Sequence, residues 1–220
     1  MDDYETRLAA EIAKASNADN AAAMKKYLRH KFEFFGVKTP ERKAIVREFV
    51  SEHGLPCTTE TIIALWHQPH RECHHAAIDL LDRMKRHYSP AYFVLCEQLI
   101  TTHSWWDTVD ALATRQIATL FKRYPEEGKE CIEKWRHSDN IWLRRTTLLY
   151  QLKYSNETDV ELLTALIREN ADSDEFFIQK AIGWALREYA KTDAHAVRQL
   201  TASIPLKSLS VREALKHIGK

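Results

Sequence analysis

Apolar residues return every three to four positions along nearly the whole chain, the spacing of one face of an α-helix. The pattern predicts helices over 4–15, 20–31, 40–53, 59–67, 71–87, 90–101, 105–112, 114–123, 126–136, 139–153, 159–169, 174–190, 193–202 and 208–218. Pro40, Pro69, Pro90 and Pro125 fall at the proposed starts or in loops, where a missing backbone donor does least harm. Pairs of short helices recur roughly every 35 residues, about six units in all. That predicts an all-α, HEAT-like helical-repeat solenoid, an α-α superhelix with one helix of each pair lining a concave cleft. No linker or low-complexity tract interrupts residues 1–220, so a single repeat domain is expected.

Composition agrees with this picture. Only 5 glycines and 6 prolines stand against 29% charged residues, which favours long helices with short connections and leaves too few glycines for a phosphate-cradling loop. With 45% hydrophobic residues, 220 residues bury a sizeable core. Cys57, Cys73, Cys96 and Cys131 are widely spaced and read as small reduced core residues, not as a disulfide framework. The acidic start Met1-Asp2-Asp3-Tyr4-Glu5 lacks an apolar signal core, and no run approaches the roughly 18 apolar residues of a membrane span. A soluble, cytoplasmic monomer without a membrane partner is expected. The formal charge of +1 neither requires nor excludes nucleic acid, so the distribution of charge must decide.

One aromatic departs from the core pattern. On the helix over 174–190, Phe177, Ile178, Ala181, Ile182, Ala185 and Tyr189 form the apolar face, and Trp184 lies off its centre among Lys180, Arg187 and Lys191. Cations that neutralise phosphates around a ring that meets a sugar or base suit a nucleic-acid surface. A ring snorkelled under lysine stems at a helix edge fits the same pattern.

In Ser104-Trp105-Trp106-Asp107-Thr108-Val109-Asp110, Ser104 reads as an N-cap with Asp107 at the third helical position of a capping box, while Trp105, Val109 and Leu112 face the core. Asp110 has no such local duty and sits one turn after Trp106. Such a carboxylate either stabilises a cationic transition state or orients water, or pairs with an arginine across a helix interface. Arg145 falls inside the apolar face of the helix over 139–153, capped by Ser138 or Asp139, and so needs a carboxylate or a phosphate. His67, His70, Cys73, His74 and His75 crowd one segment, but their spacing matches no closed zinc motif, so no metal is expected. Lys38-Thr39-Pro40 presents a lysine at a helix start, a place suited to phosphate.

Six blocks carry a family resemblance: Phe35 to Arg42, Ser104 to Asp110, Ser138 to Arg145, Glu175 to Trp184, Leu186 to Lys191, and Arg212 to Ile218. They keep their order over most of the chain, and with them it resembles the AlkD-type DNA alkylation repair proteins, the HEAT-repeat alkylpurine DNA glycosylases. The resemblance implies cleavage of the N-glycosidic bond of cationic N3- and N7-alkylated purines in duplex DNA. Asp110 would then be the catalytic carboxylate, Trp106 and Trp184 the cleft aromatics, and Arg145, Arg187, Lys180, Lys191, Lys38, Thr39 and Tyr27 the DNA-binding residues. No cofactor is implied. Lys38 stands where some relatives carry an uncharged polar residue, and the chain stops after His217-Ile218-Gly219-Lys220, so no carboxy-terminal extension is expected. The rival classes are a catalytically silent HEAT scaffold for DNA or protein, and a metal-dependent phosphoesterase. The second would require clustered carboxylates that the sequence does not offer.

Overall fold

A computed structural model describes residues 4–217, and its described residues form α-helices with short 3₁₀ and π segments and no strand. The all-α helical-repeat class predicted from periodicity is what the chain adopts. The residues divide into two compact units, one up to Tyr88 and one from Ser89 onward. No helix among the described residues is long and apolar enough to cross a membrane.

The first unit contains α1 (Tyr4–Lys14), α2 (Ala18–Tyr27), α3 (Thr39–His53), α4 (Glu60–Trp66) and α5 (Arg71–Arg83). Leu8, Ile12, Val46, Ile62, Leu65, Trp66, Ile78 and Leu81 fill its core. The long connection between α2 and α3 is fastened by one buried carboxylate. Glu72 accepts the backbone N–H groups of Phe35, Gly36 and Val37 at 3.1, 2.8 and 3.1 Å. Three donors on one carboxylate satisfy a turn that would otherwise bury bare N–H groups. Gly36 has φ +90°, and a Cβ there would stand 2.0 Å from the Asn17 carbonyl oxygen. Gly36→Ala therefore combines left-handed strain with a backbone clash and is expected to cost at least about 2 kcal/mol. Urea unfolding monitored by circular dichroism checks this; an unchanged midpoint would show that the connection relaxes freely.

The histidine segment enters the same unit as structure. His70 stacks on Phe35 with ring centroids 3.7 Å apart, Cys73 is fully buried, and His74 lies buried beside Trp66 with its Nε2 2.9 Å from the Gln68 carbonyl oxygen. Among the described residues no three His, Cys, Asp or Glu side chains gather as a ligand set. Cys73 and Cys96 are core residues as expected, but Cys57 is exposed because it lies in the turn before α4.

The second unit contains α6 (Ala91–Thr101), α7 (Trp106–Ala111), α8 (Ala118–Arg123), α9 (Pro125–Arg136), α10 (Ile141–Leu149), α11 (Val160–Glu169), α12 (Phe176–Tyr189), α13 (Ala194–Ser203) and α14 (Ser208–Ala214). Helix α10 packs against α6, α7, α9, α11 and α12, and α12 packs most extensively against α14. Two caps differ from expectation. Ser104 donates to the Ile100 carbonyl at 2.6 Å and ends the preceding helix, so Trp105 takes the N-cap place without a side-chain cap. Asn140 caps α10, accepting the Trp142 N–H at 2.9 Å, while Ser138 in turn accepts the Asn140 N–H. The predicted break at position 113 is absent. Helices α7 and α8 are joined through a π turn over Leu112–Ile117, since no glycine or proline interrupts the run. The helix expected over 208–218 ends at Ala214, and Ile218 lies outside the described residues.

Candidate active site

Asp110 sits in the last turn of α7, immediately before the π turn, and its carbonyl accepts the Thr114 hydroxyl at 2.7 Å. Single π turns inside helices recur at functional sites because they re-aim side chains on one turn without breaking the helix. The core side of α7 is as the sequence predicts: Trp105 is 8% exposed and Val109 and Leu112 are fully buried. Trp106 and Asp110, one turn apart, face the other way.

There they meet α10 and α12. Trp106, Asp110, Arg145, Phe176, Phe177, Lys180, Trp184 and Arg187 together line a cavity of about 280 Å³. This is close to the lower end of the range typical of small-ligand sites, about 300–1,000 Å³. Phe177 belongs also to an aromatic cluster, with Trp105 at 4.9 Å and Trp142 at 5.1 Å between ring centroids. These ring contacts anchor Phe177, which lines the cavity.

The Asp110 carboxylate is held by two parallel hydrogen bonds from Arg145, Nε to Oδ1 at 2.7 Å and Nη2 to Oδ2 at 2.9 Å. Arg145 Nη1 donates to the Phe177 carbonyl. Arg145 is buried, and its three groups that reach a partner are spent on Asp110 and α12. Of the partners the sequence leaves open, an arginine across a helix interface for Asp110 and a carboxylate or a phosphate for Arg145, the structure shows the ion pair: an arginine inside an apolar helix face takes the nearby carboxylate. The fork leaves two of the carboxylate's lone-pair positions for the cavity. Burial pushes the Asp110 carboxyl above the usual aspartate range, against the opposing pull of the Arg145 guanidinium.

The cations around Trp184 are also engaged. Glu213 of α14 receives Lys180 at 3.1 Å and Arg187 at 2.7 Å, and these two hydrogen bonds hold its carboxyl below the usual range. Lys191 pairs with Glu188 at 2.7 Å and is not part of the cavity lining. Trp184 itself is half-buried. Tyr27, Lys38 and Thr39 belong to the first unit: Tyr27 ends α2 and is 71% exposed, and exposed Lys38 precedes Thr39 at the start of α3 without a side-chain cap. Sequence reasoning missed Phe176, Phe177 and Glu213. Phe177 was read as core, and it is both core and wall; Glu213 is separated from Arg187 by 26 positions, and no spacing rule reaches so far.

A family model described as DNA alkylation repair enzyme matches residues 8–218. The chain belongs to that family. A solved structure described as a predicted DNA alkylation repair enzyme from Enterococcus faecalis is 32% identical, with a TM-score of 0.86 over 93% of this chain and 97% of its own. Among curated proteins, none matches. Family membership gives this chain a role in the repair of alkylated DNA, with DNA as its substrate.

Proposed function

We propose that this DNA alkylation repair enzyme is a monofunctional DNA glycosylase, which hydrolyses the N-glycosidic bond of N3- and N7-alkylated purines in duplex DNA. The observation that carries the proposal is the fixed Asp110 carboxylate, directed into a cavity walled by Trp106, Phe177 and Trp184. An N-alkylated purine is already a cation, so it departs as a neutral base and requires little protonation. Positive charge then develops on the deoxyribose. An ionised carboxylate and electron-rich ring faces stabilise that charge, and they do so without reorganising because packing and the Arg145 fork already hold them. Water completes the reaction by bonding to the anomeric carbon and losing a proton. Among the described residues, Lys180 is the lysine that lines the cavity with Asp110, and its ammonium is paired with Glu213. The proposed mechanism uses water and not an amine as nucleophile, so strand cleavage through a Schiff base is not expected. Tyr27, Lys38 and Thr39 are assigned to DNA binding in the first unit, and Lys180 and Arg187 in the second.

A paired Asp110 is also what a silent scaffold would contain, and the pH dependence of base release separates the two readings. Asp110 must be ionised to act, and burial raises its pKa above the ordinary 3.8. Single-turnover release from methylated duplex, corrected for spontaneous depurination and measured with excess chelator, should therefore fall as the solution is acidified from neutrality. It should fall toward one decade per pH unit, beginning at a higher pH than an ordinary aspartate would dictate. A rate independent of pH down to ordinary aspartate values would remove the carboxylate from the mechanism. The absence of enzyme-dependent release would favour the scaffold.

A further inference from the structure

Glu213 lies outside the cavity lining, yet it is the anion shared by two of the cations that form it. Its approach depends on Gly183. A Cβ at that position would stand 2.4 Å from the Glu213 Cβ and 3.0 Å from the Ser210 carbonyl oxygen, so only glycine lets α14 lie this close to α12. Ser210 donates to the Gln179 carbonyl at 3.1 Å across the same seam. Arg187 Nη1 is bound twice, by the Glu213 carboxylate at 2.7 Å and by its main-chain carbonyl at 3.1 Å. Lys180, Trp184 and Arg187 occupy one stripe of α12, so a single carboxylate fixes a cation on either side of the tryptophan.

The charge balance of the cavity then has a consequence. Asp110 and Arg145 cancel, and without Glu213 the wall beside Trp184 would carry two uncompensated cations. A base that is itself cationic would be repelled by both, since like charges interact strongly in a partly dry cleft. DNA phosphates, in contrast, would bind such a wall more tightly.

We propose that Glu213 is a charge-positioning residue: it holds Lys180 and Arg187 beside Trp184 and cancels one of their two charges. The cavity thereby admits a cationic alkylated purine at the expense of DNA affinity. This rests on the glycosylase reading. The mark of such a residue is that binding and chemistry move in opposite directions, whereas a residue that only stitched α14 to α12 would weaken both.

The test compares wild-type protein with Glu213→Gln, which retains an acceptor of the same shape, and with Lys180→Met, which shifts the charge the other way. Affinity is measured against salt with undamaged fluorescein-labelled duplex DNA, and release of N7-methylguanine is measured in single turnover at saturating protein. Glu213→Gln should bind the undamaged duplex several-fold more tightly, with a log–log salt slope steeper by about one unit as one more cation becomes available to phosphate. It should release base about three- to tenfold more slowly, the scale of one charge acting across several ångströms of partly wet cleft. Lys180→Met should do the reverse, binding more weakly and releasing base faster. If Glu213→Gln fails to fold, Lys180→Met alone decides by the same opposite signs. An unchanged salt slope in Glu213→Gln, or binding and release falling together in whichever variant folds, would overturn the proposal while leaving wild-type excision intact. Wild-type protein that releases no base would instead sink the glycosylase reading, and this inference with it.

Discussion

Asparagine at position 110 is expected to slow base release roughly 10²-fold or more in single turnover, the loss typical of one preorganised electrostatic group. The amide keeps the shape of the side chain but carries no charge to set against the developing deoxyribose cation. It also offers an NH₂ to an arginine fork that only donates. Removing one partner of a buried ion pair commonly costs about 3–5 kcal/mol. The loss should fall below that range here, because Arg145 keeps the Phe177 carbonyl and the Asp110 side chain is 13% exposed. Rate and stability must accordingly be read apart, with excision measured well below the thermal midpoint of the variant. Excision within a few-fold of wild type by folded Asp110→Asn protein would end the electrostatic mechanism.

Arg145→Met should have the second largest effect, and its signature is a displaced pH profile. Burial already pushes the Asp110 carboxyl upward, and Arg145 supplies the two interactions that oppose it. Without them the folded protein favours the protonated acid further, so the acid limb of the rate profile moves toward neutral pH. On the acid limb, excision at a given pH falls because a larger share of the protein carries a neutral Asp110. Protonation also relieves the stranded charge, so the thermal penalty should be smaller at acid pH than at alkaline pH. Combining Arg145→Met with Asp110→Asn should cost less stability than the two single changes added together, since each already removes the same pair. A profile that stays in place would show that Arg145 does not set the ionisation of Asp110.

Helical periodicity located the fold well, because long amphipathic stretches write their own period into the chain. Helix α3 was predicted over 40–53 and runs Thr39–His53; α9 was predicted over 126–136 and runs Pro125–Arg136. The errors fall where tertiary context overrides local signals. Ser104 has the right side chain for an N-cap, yet its hydroxyl bonds backwards to Ile100. The passage from α7 to α8 has no breaker, so a π turn absorbs the change of register that the sequence suggested as a break.

The site was legible to the extent that its residues violate the core pattern. Trp184 off the apolar face and Arg145 inside one both stand out, the first as a nucleic-acid contact or a snorkelled ring and the second as an arginine in need of an anion, and the structure brings them to one cavity. The pairing of Asp110 with Arg145 was among the alternatives open in the sequence, whereas Glu213 was not legible, because the wheel of one helix says nothing about the helix opposite. Asp110 lies 35 positions from Arg145, and Glu213 lies 33 positions from Lys180. Glu213 is an ordinary acid by local sequence. Of the cations expected to face phosphate, Arg145, Lys180, Arg187 and Lys191 are thus already paired, so on the proposed reading DNA binding at these four proceeds by ion-pair exchange and not by bare attraction.

The most direct measurement uses two duplexes of the same sequence, one carrying a single N7-methylguanine and the other a single uracil, incubated with wild-type protein in excess chelator. The proposed mechanism rests on charge stabilisation at the sugar and needs no acid to protonate the leaving base, so N7-methylguanine should be released and uracil retained. Release of uracil at a comparable rate would contradict the account, because a neutral base leaves as an anion and only a cleft that activates poor leaving groups could expel it.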